Sequence, residues 1–235
     1  MVNVIIPIDF SETSFNAAHF GTAMYAKRAD ISIILYHFYE TEEDSKIAST
    51  YLNNLKVELN NKVSNIEIIT ESGDNFIDSL TAYAQIKTAY MIIMGLTGKS
   101  EFKQFFLGSN TLKMAEKAVC PILIIPPDAL YTKMINVVIA SEMKYVDETP
   151  VLLAAKRVLA DFKPKLHILN VNSNHYISLT TSYKEERDKM DYLLAEFQPE
   201  FYFMRLFDFH ESINLFVEDY NIDLLIIGPK HHTIF

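Results

Sequence analysis

Short apolar runs alternate with segments of helical periodicity along the first half of the chain, and this alternation decides most of what it can fold into. Val2–Ile8, Ile31–Phe38, Asn65–Glu71, Met91–Met94 and Pro121–Ile125 are all short and rich in isoleucine. Runs of that length and composition suit strands buried on both faces. Between them lie helical stretches from about Thr13 to Arg28, over Lys46–Val63, over Phe76–Ile86 and over Thr111–Val119. Strict alternation of this kind predicts an α/β fold, a doubly wound five-stranded parallel sheet with right-handed connections. Asp9 and Glu12 stand three residues apart after the first run, the spacing of a capping box.

The stretch with the most chemical content is MIIMGLTGKSEFKQFFLGSNTLKMAEKAVCPILIIP, from Met91 to Pro126. It predicts a strand, a glycine loop, a helix and a strand. Gly95 and Gly98 let the chain turn sharply and let a ligand approach the backbone. Gly108-Ser109-Asn110 opens the helix, where unpaired N–H groups and partial positive charge suit a phosphate. Four lysines (Lys99, Lys103, Lys113, Lys117) and two glutamates (Glu101, Glu116) give this loop and helix a local charge of +2 in a chain of −9. Local charge counts most, because screening at physiological salt acts over about 8 Å.

The spacing G-x-x-G, nine residues, then G-S resembles the nucleotide-binding signature of the universal stress protein family, in its ATP-binding branch. Pro7–Ser14, P-I-D-F-S-E-T-S, resembles that family's first-strand motif. The resemblance implies strand order 3-2-1-4-5 and an adenine nucleotide, ATP or AMP, with Mg²⁺ on its phosphates. It places Asp9 against the base amino group, with Pro7 and Ile8 beside it. Phe38 falls where the family sets an apolar residue against adenine, more often valine. Met94 and Gly95 would flank the ribose. Gly98, Gly108, Ser109 and Asn110 would cradle the phosphates, with Lys99 completing the set.

The second half repeats the first at an offset of 133. Val2–Ile5 meets Ile135–Val138, Leu35–Phe38 meets Ile168–Val171, and Met91–Gly95 meets Leu224–Gly228. This predicts tandem domains over 1–127 and 134–235, separated by Pro126–Lys133. In the second copy Asp9 becomes Glu142 and Gly98 becomes His231, and Phe235 precedes any counterpart of Gly108-Ser109 or of a fifth strand. The expectation is a degenerate second domain, incomplete at its C-terminal end.

Composition removes other classes. A net charge of −9 opposes non-specific nucleic-acid binding. No apolar run approaches the ~20 residues a membrane helix needs. Strand-like sequence from Val2 leaves no room for a signal peptide, so the cytoplasm is expected. The one cysteine, Cys120, is expected as a small core residue. His231-His232 fits no zinc spacing, and His167, His175 and His210 suit surface or strand-end positions. No catalytic residue is assigned, since Glu101 and Gln104 are the only loop groups able to orient a water for hydrolysis. A nucleotide-binding stress or regulatory protein therefore leads. A slow ATP hydrolase and a nucleotide-free dimerisation or partner-binding scaffold stand as alternatives. The resemblance also implies a homodimer through the Ile122–Ile125 edge, because an open apolar edge invites association.

Overall fold

The computed structural model describes residues 1–60, 63, 65–96, 109–117, 119–146, 150–171, 180–204 and 209–228, with backbone only at 109–112, 150 and 209–210. The chain divides into two compact units, Met1–Thr132 and Lys133–Phe235.

The first unit runs β1 (Val2–Pro7), α1 (Glu12–Met24), β2 (Ile31–Phe38), α2 (Glu42–Leu59), β3 (Ile66–Glu71), α3 (Phe76–Ile86), β4 (Met91–Gly95), α4 (Ser109–Lys117) and β5 (Ile122–Ile125). All strands are parallel, in the order β3-β2-β1-β4-β5. With right-handed crossovers, that order puts α1 and α2 on one face and α3 and α4 on the other. Side chains alternate accordingly along each strand. Ile5, Ile34, Tyr36, Ile92 and Met94 join Ile77, Leu80 and Met114 in the core on the α3/α4 side. Ile6 and Ile93 point the other way and meet α1 at Gly21, where a Cβ would lie 2.9 Å from both.

One helix starts earlier than its periodicity suggests. The acidic segment Glu42–Asp44 is the first turn of α2 rather than a loop before it, and Thr41 caps the helix by accepting from the Asp44 amide at 3.2 Å. Carboxylates in a first turn are favoured by the helix dipole, so these three charges stabilise the helix.

The second unit runs β6 (Asn136–Ala140), α5 (Pro150–Phe162), β7 (Lys165–Val171), α6 (Thr181–Leu194), β8 (Glu200–Met204), α7 (Phe209–Asp219) and β9 (Leu224–Ile227). Its sheet has the order β8-β7-β6-β9. The ladder keeps the register of the first. Asn3 faces Ser32 as Asn136 faces Lys165, Val4 faces Met91 as Val137 faces Leu224, and Ile34 faces Glu67 as His167 faces Glu200. Each second-unit position is its counterpart plus 133, the offset found in the sequence.

His167, inside β7 and buried, corrects the expectation of a surface or strand-end residue. Its side chain is 1% exposed and surrounded by the rings of Tyr202, Phe216 and Tyr220, with centroids 5.5–6.0 Å away. Neither ring nitrogen has a hydrogen-bond partner among the described residues. Burial pushes its pKa below the ordinary value, helped by Lys165 and opposed by Glu200, whose carboxylate lies 3.9 Å away. The unfolded chain therefore binds a proton that the folded chain resists, and stability falls as pH drops below the unfolded value of about 6.5. The loss approaches about 1.4 kcal/mol per pH unit until the folded pKa is reached. His167→Ile, which installs the first unit's residue at this register, is expected to flatten that slope in urea melts between about pH 6.5 and 5.

Candidate functional site

β1 and β4 are neighbours at the centre of the first sheet, and the chain turns in opposite directions from them. Open α/β sheets bind ligands beyond the C-terminal ends of such strands. Pro7 ends β1, buried and facing Tyr36 in the ladder. Ile8 is 2% exposed and donates its amide hydrogen to the Tyr36 carbonyl at 2.8 Å. Asp9 follows, exposed at the edge of the sheet.

Asp9 does not cap α1. Ser11 is the cap, accepting from the Ser14 amide at 3.2 Å, and Asp9 supports it. Asp9 Oδ1 accepts from the Ser11 amide at 3.0 Å and the Ser11 hydroxyl at 2.5 Å. Desolvation works to raise the Asp9 pKa, but the Ser11 hydrogen bonds outweigh it and hold the carboxyl below its usual range. The group is therefore a fixed anion at neutral pH. A carboxylate has about four acceptor sites, so two donors on Oδ1 leave capacity for a ligand.

Phe10 lies between Asp9 and Ser11 with φ of 63°, a left-handed conformation that a bulky residue adopts only under constraint. Its ring sits 4.7 Å from His37 and 5.6 Å from Tyr51. His37 is 9% exposed and its Nδ1 bonds the Ile8 carbonyl at 2.7 Å. A carbonyl only accepts, so Nδ1 carries the proton. This bond ties the end of β1 to the end of β2. The second unit has the same tie, with Asn170 Nδ2 donating to the Ser141 carbonyl at 2.7 Å.

The expected ligand residues fall into groups. Phe38 ends β2 and packs edge-on against Phe76 at 6.2 Å, and Met94 is 7% exposed; both belong to the core on the α3/α4 side. Ser109 and Asn110 open α4, one residue pair earlier than the periodicity suggested. Lys117 in its last turn pairs with Asp78 in the first turn of α3, which sets the helix against its neighbour. Gly98, Lys99 and Gly108 lie outside the described residues, as do Glu101 and Gln104.

Gly95 has a structural reason to be glycine. A Cβ there would lie 2.3 Å from the Thr13 carbonyl oxygen and 3.0 Å from the Ser14 nitrogen, so the first turn of α1 rests directly on this backbone. Gly228, at the matching place in the second unit, is similarly pressed, with Val151 Cγ2 2.8 Å from where a Cβ would be.

A cleft of about 730 Å³ opens beside Asp9 on the α1/α2 side. Its wall on α2 is formed by Asp44, Ile47, Ala48 and Tyr51, which share one helix face, and its floor includes Phe10 and His37. No motif in the sequence marks Phe10, His37 or Tyr51 as site residues. A histidine inside the isoleucine-rich run Ile31–Phe38 was the available signal. No group of three His, Cys, Asp or Glu side chains suited to a metal occurs among the described residues. Cys120 packs partly buried against the core, and burial pushes its thiol up to about 11, so it is a poor nucleophile.

A family model described as the universal stress protein family matches residues 1–126. The chain belongs to the universal stress protein family. Solved structures that span most of this chain agree on the fold across both units. A universal stress protein from Archaeoglobus fulgidus DSM 4304 aligns with 96% of this chain and 86% of its own at a TM-score of 0.72 and 18% identity. A Pseudomonas aeruginosa UCBPP-PA14 protein provisionally assigned to the same family aligns with 97% of this chain and 82% of its own, at 0.67 and 16%. A universal stress protein solved in complex with cAMP aligns with 54% of this chain and 98% of its own, at 0.45 and 20%. No curated protein matches the chain. No helix among the described residues is long and apolar enough to cross a membrane.

The contact at Gly95 yields a mutational test. Gly95→Ala must displace backbone, whereas Gly73→Ala meets mainly the Ser79 hydroxyl, which can rotate away. Gly95→Ala is expected to cost about 1–3 kcal/mol in denaturant melts, and Gly73→Ala clearly less.

Proposed function

We propose that the first unit is an adenine-nucleotide sensor, a stress-response or regulatory module that holds ATP at the C-terminal edge of β1 and β4. The observation that carries this reading is the pairing of a fixed anionic acceptor with a helix start. Asp9 is anchored by Ser11 at the end of β1, and α4 begins at Ser109 after β4, the strand next to β1. The carboxylate accepts from the adenine amino group, with Pro7 and Ile8 holding it in place and Phe38 and Gly95 bounding the pocket. The phosphates run to the amides of Gly108, Ser109 and Asn110, with Gly98 and Lys99 on the loop side, where helix-terminal N–H groups favour anions. Mg²⁺ would travel with the phosphates, and a cytoplasmic location fits such a ligand. With no base or water-orienting group assigned, binding rather than turnover is the function proposed.

The shared register and the paired ties at Ile8 and Ser141 support a tandem duplication in which the second unit keeps the scaffold. Glu142 replaces Asp9 there and pairs with Lys144 at 3.7 Å. β5 is the edge strand of the first sheet, with Ile122 and Ile124 only partly buried, which supports a homodimer through Ile122–Ile125.

Calorimetric titration of ATP, then AMP, with Mg²⁺ tests the site. Micromolar ATP binding that is lost in a Gly108→Val/Ser109→Ala variant is expected; absence of heat in the unmodified protein would overturn the reading. Sedimentation at micromolar concentration should give a dimer mass, and Ile124→Lys should shift it to monomer.

A further inference from the structure

The cleft between α1, β2 and α2 is not where the proposed nucleotide's phosphates would run. Met94 turns toward the α3/α4 face and Phe38 packs on that core while also lining this cleft at the end of β2, whereas His37 and the exposed side of α2 turn wholly toward this one. Its lining carries three carboxylates, Asp9, Glu40 and Asp44, and among the described lining residues none is lysine or arginine. Aromatic rings face the same space. Phe10 is held in a left-handed conformation over His37, and Tyr51 stands 56% exposed on α2, 5.6 Å from Phe10. Ile47, one turn earlier on α2, is 54% exposed.

We infer that this cleft binds a small organic cation, an ammonium carried on an apolar or aromatic body. Aromatic faces attract a cation through their negative π surface, the more strongly the further the charge is desolvated. Carboxylates at the rim supply the countercharge. Asp44 is pre-positioned, since its Oδ2 accepts from the Thr41 hydroxyl at 2.6 Å and its own amide is capped by Thr41. Nδ1 of His37 is committed to the Ile8 carbonyl, which fixes the ring as part of the cleft floor. The apolar body would cover Tyr51 and Ile47, which otherwise leave a large apolar surface open to water beside Phe10. An anionic ligand meets three like charges here, and a neutral one gains only the apolar contact. The whole-chain charge of −9 adds a long-range attraction for cations.

The cation site does not rest on nucleotide binding, and Asp9 and Phe38, the two lining residues also assigned to the nucleotide, are left untouched in the test. The probe is phenethylammonium, compared with its neutral isostere 2-phenylethanol and the anion hydrocinnamate, each titrated into the full chain by calorimetry and by NMR of the aromatic resonances. The cation is expected to bind at least about tenfold more tightly than the alcohol, a difference of about 1.4 kcal/mol, with shifts at Tyr51 and Phe10. A Glu40→Gln/Asp44→Asn variant should lose about that tenfold for the cation and leave the alcohol unchanged, and added salt should weaken the cation alone. Tyr51→Leu should weaken the cation while preserving the melting temperature. Equal binding of cation and alcohol, preferred binding of the anion, or no perturbation at Tyr51 and Phe10 would each overturn the proposal. ATP titrated into the same preparation reports on the nucleotide site separately, so either reading can fail alone.

Discussion

The close approach of α1 to Gly95 is the constraint on which the candidate site depends. A helix can lie across the end of a central strand only where that strand offers bare backbone, and here the carbonyl of Thr13 occupies the space of the missing side chain. This contact sets the height of the first turn of α1 above the sheet. It thereby sets where Ser11 caps the helix and where Asp9, bonded to Ser11, must stand. Gly21, eight residues further along, lets the same helix settle onto Ile6 and Ile93. Two glycines thus position a carboxylate that touches neither of them.

The second element of the frame is the bond that joins the ends of β1 and β2. Parallel strands leave their last carbonyls without ladder partners, and the chain turns away after Ile8. His37 fills that vacancy in the first unit and Asn170 in the second. An imidazole and a carboxamide have little in common except an N–H held at the same reach. That the two units solve the same local problem at the same register with different chemistry indicates a requirement of the fold rather than of a ligand.

Much of this architecture was legible in the chain. Isoleucine runs separated by helical periods mark β1 to β5 to within a residue or two, and the third helix, Phe76–Ile86, matches at both ends. The order of the strands and the place of Asp9 came from the family resemblance. What stayed hidden depended on long-range packing. Nothing local distinguishes Gly95 as a seat for α1 from Gly95 as a ligand contact, because both need an absent Cβ. Asp9 and Glu12 have the spacing of a capping box, yet the left-handed turn at Phe10 shifts the cap to Ser11. His167 reads as polar in isolation; only the β7–β8 register and the rings of β8 and α7 place it indoors.

The repeated register also bears on folding fidelity. Two sheets whose ladders match residue for residue present each strand with a second acceptable berth in the same chain, the situation in which tandem domains misassemble by exchanging elements. His167 distinguishes the berths. If β7 paired in place of β2, the imidazole would fall at the position of Ile34, in the core that holds Ile5, Ile77, Leu80 and Ile92, away from the rings of Tyr202, Phe216 and Tyr220. In its own unit it is enclosed by aromatic rings that tolerate it. A buried histidine thus doubles as an address label, favouring the strand's place in the domain that encoded it.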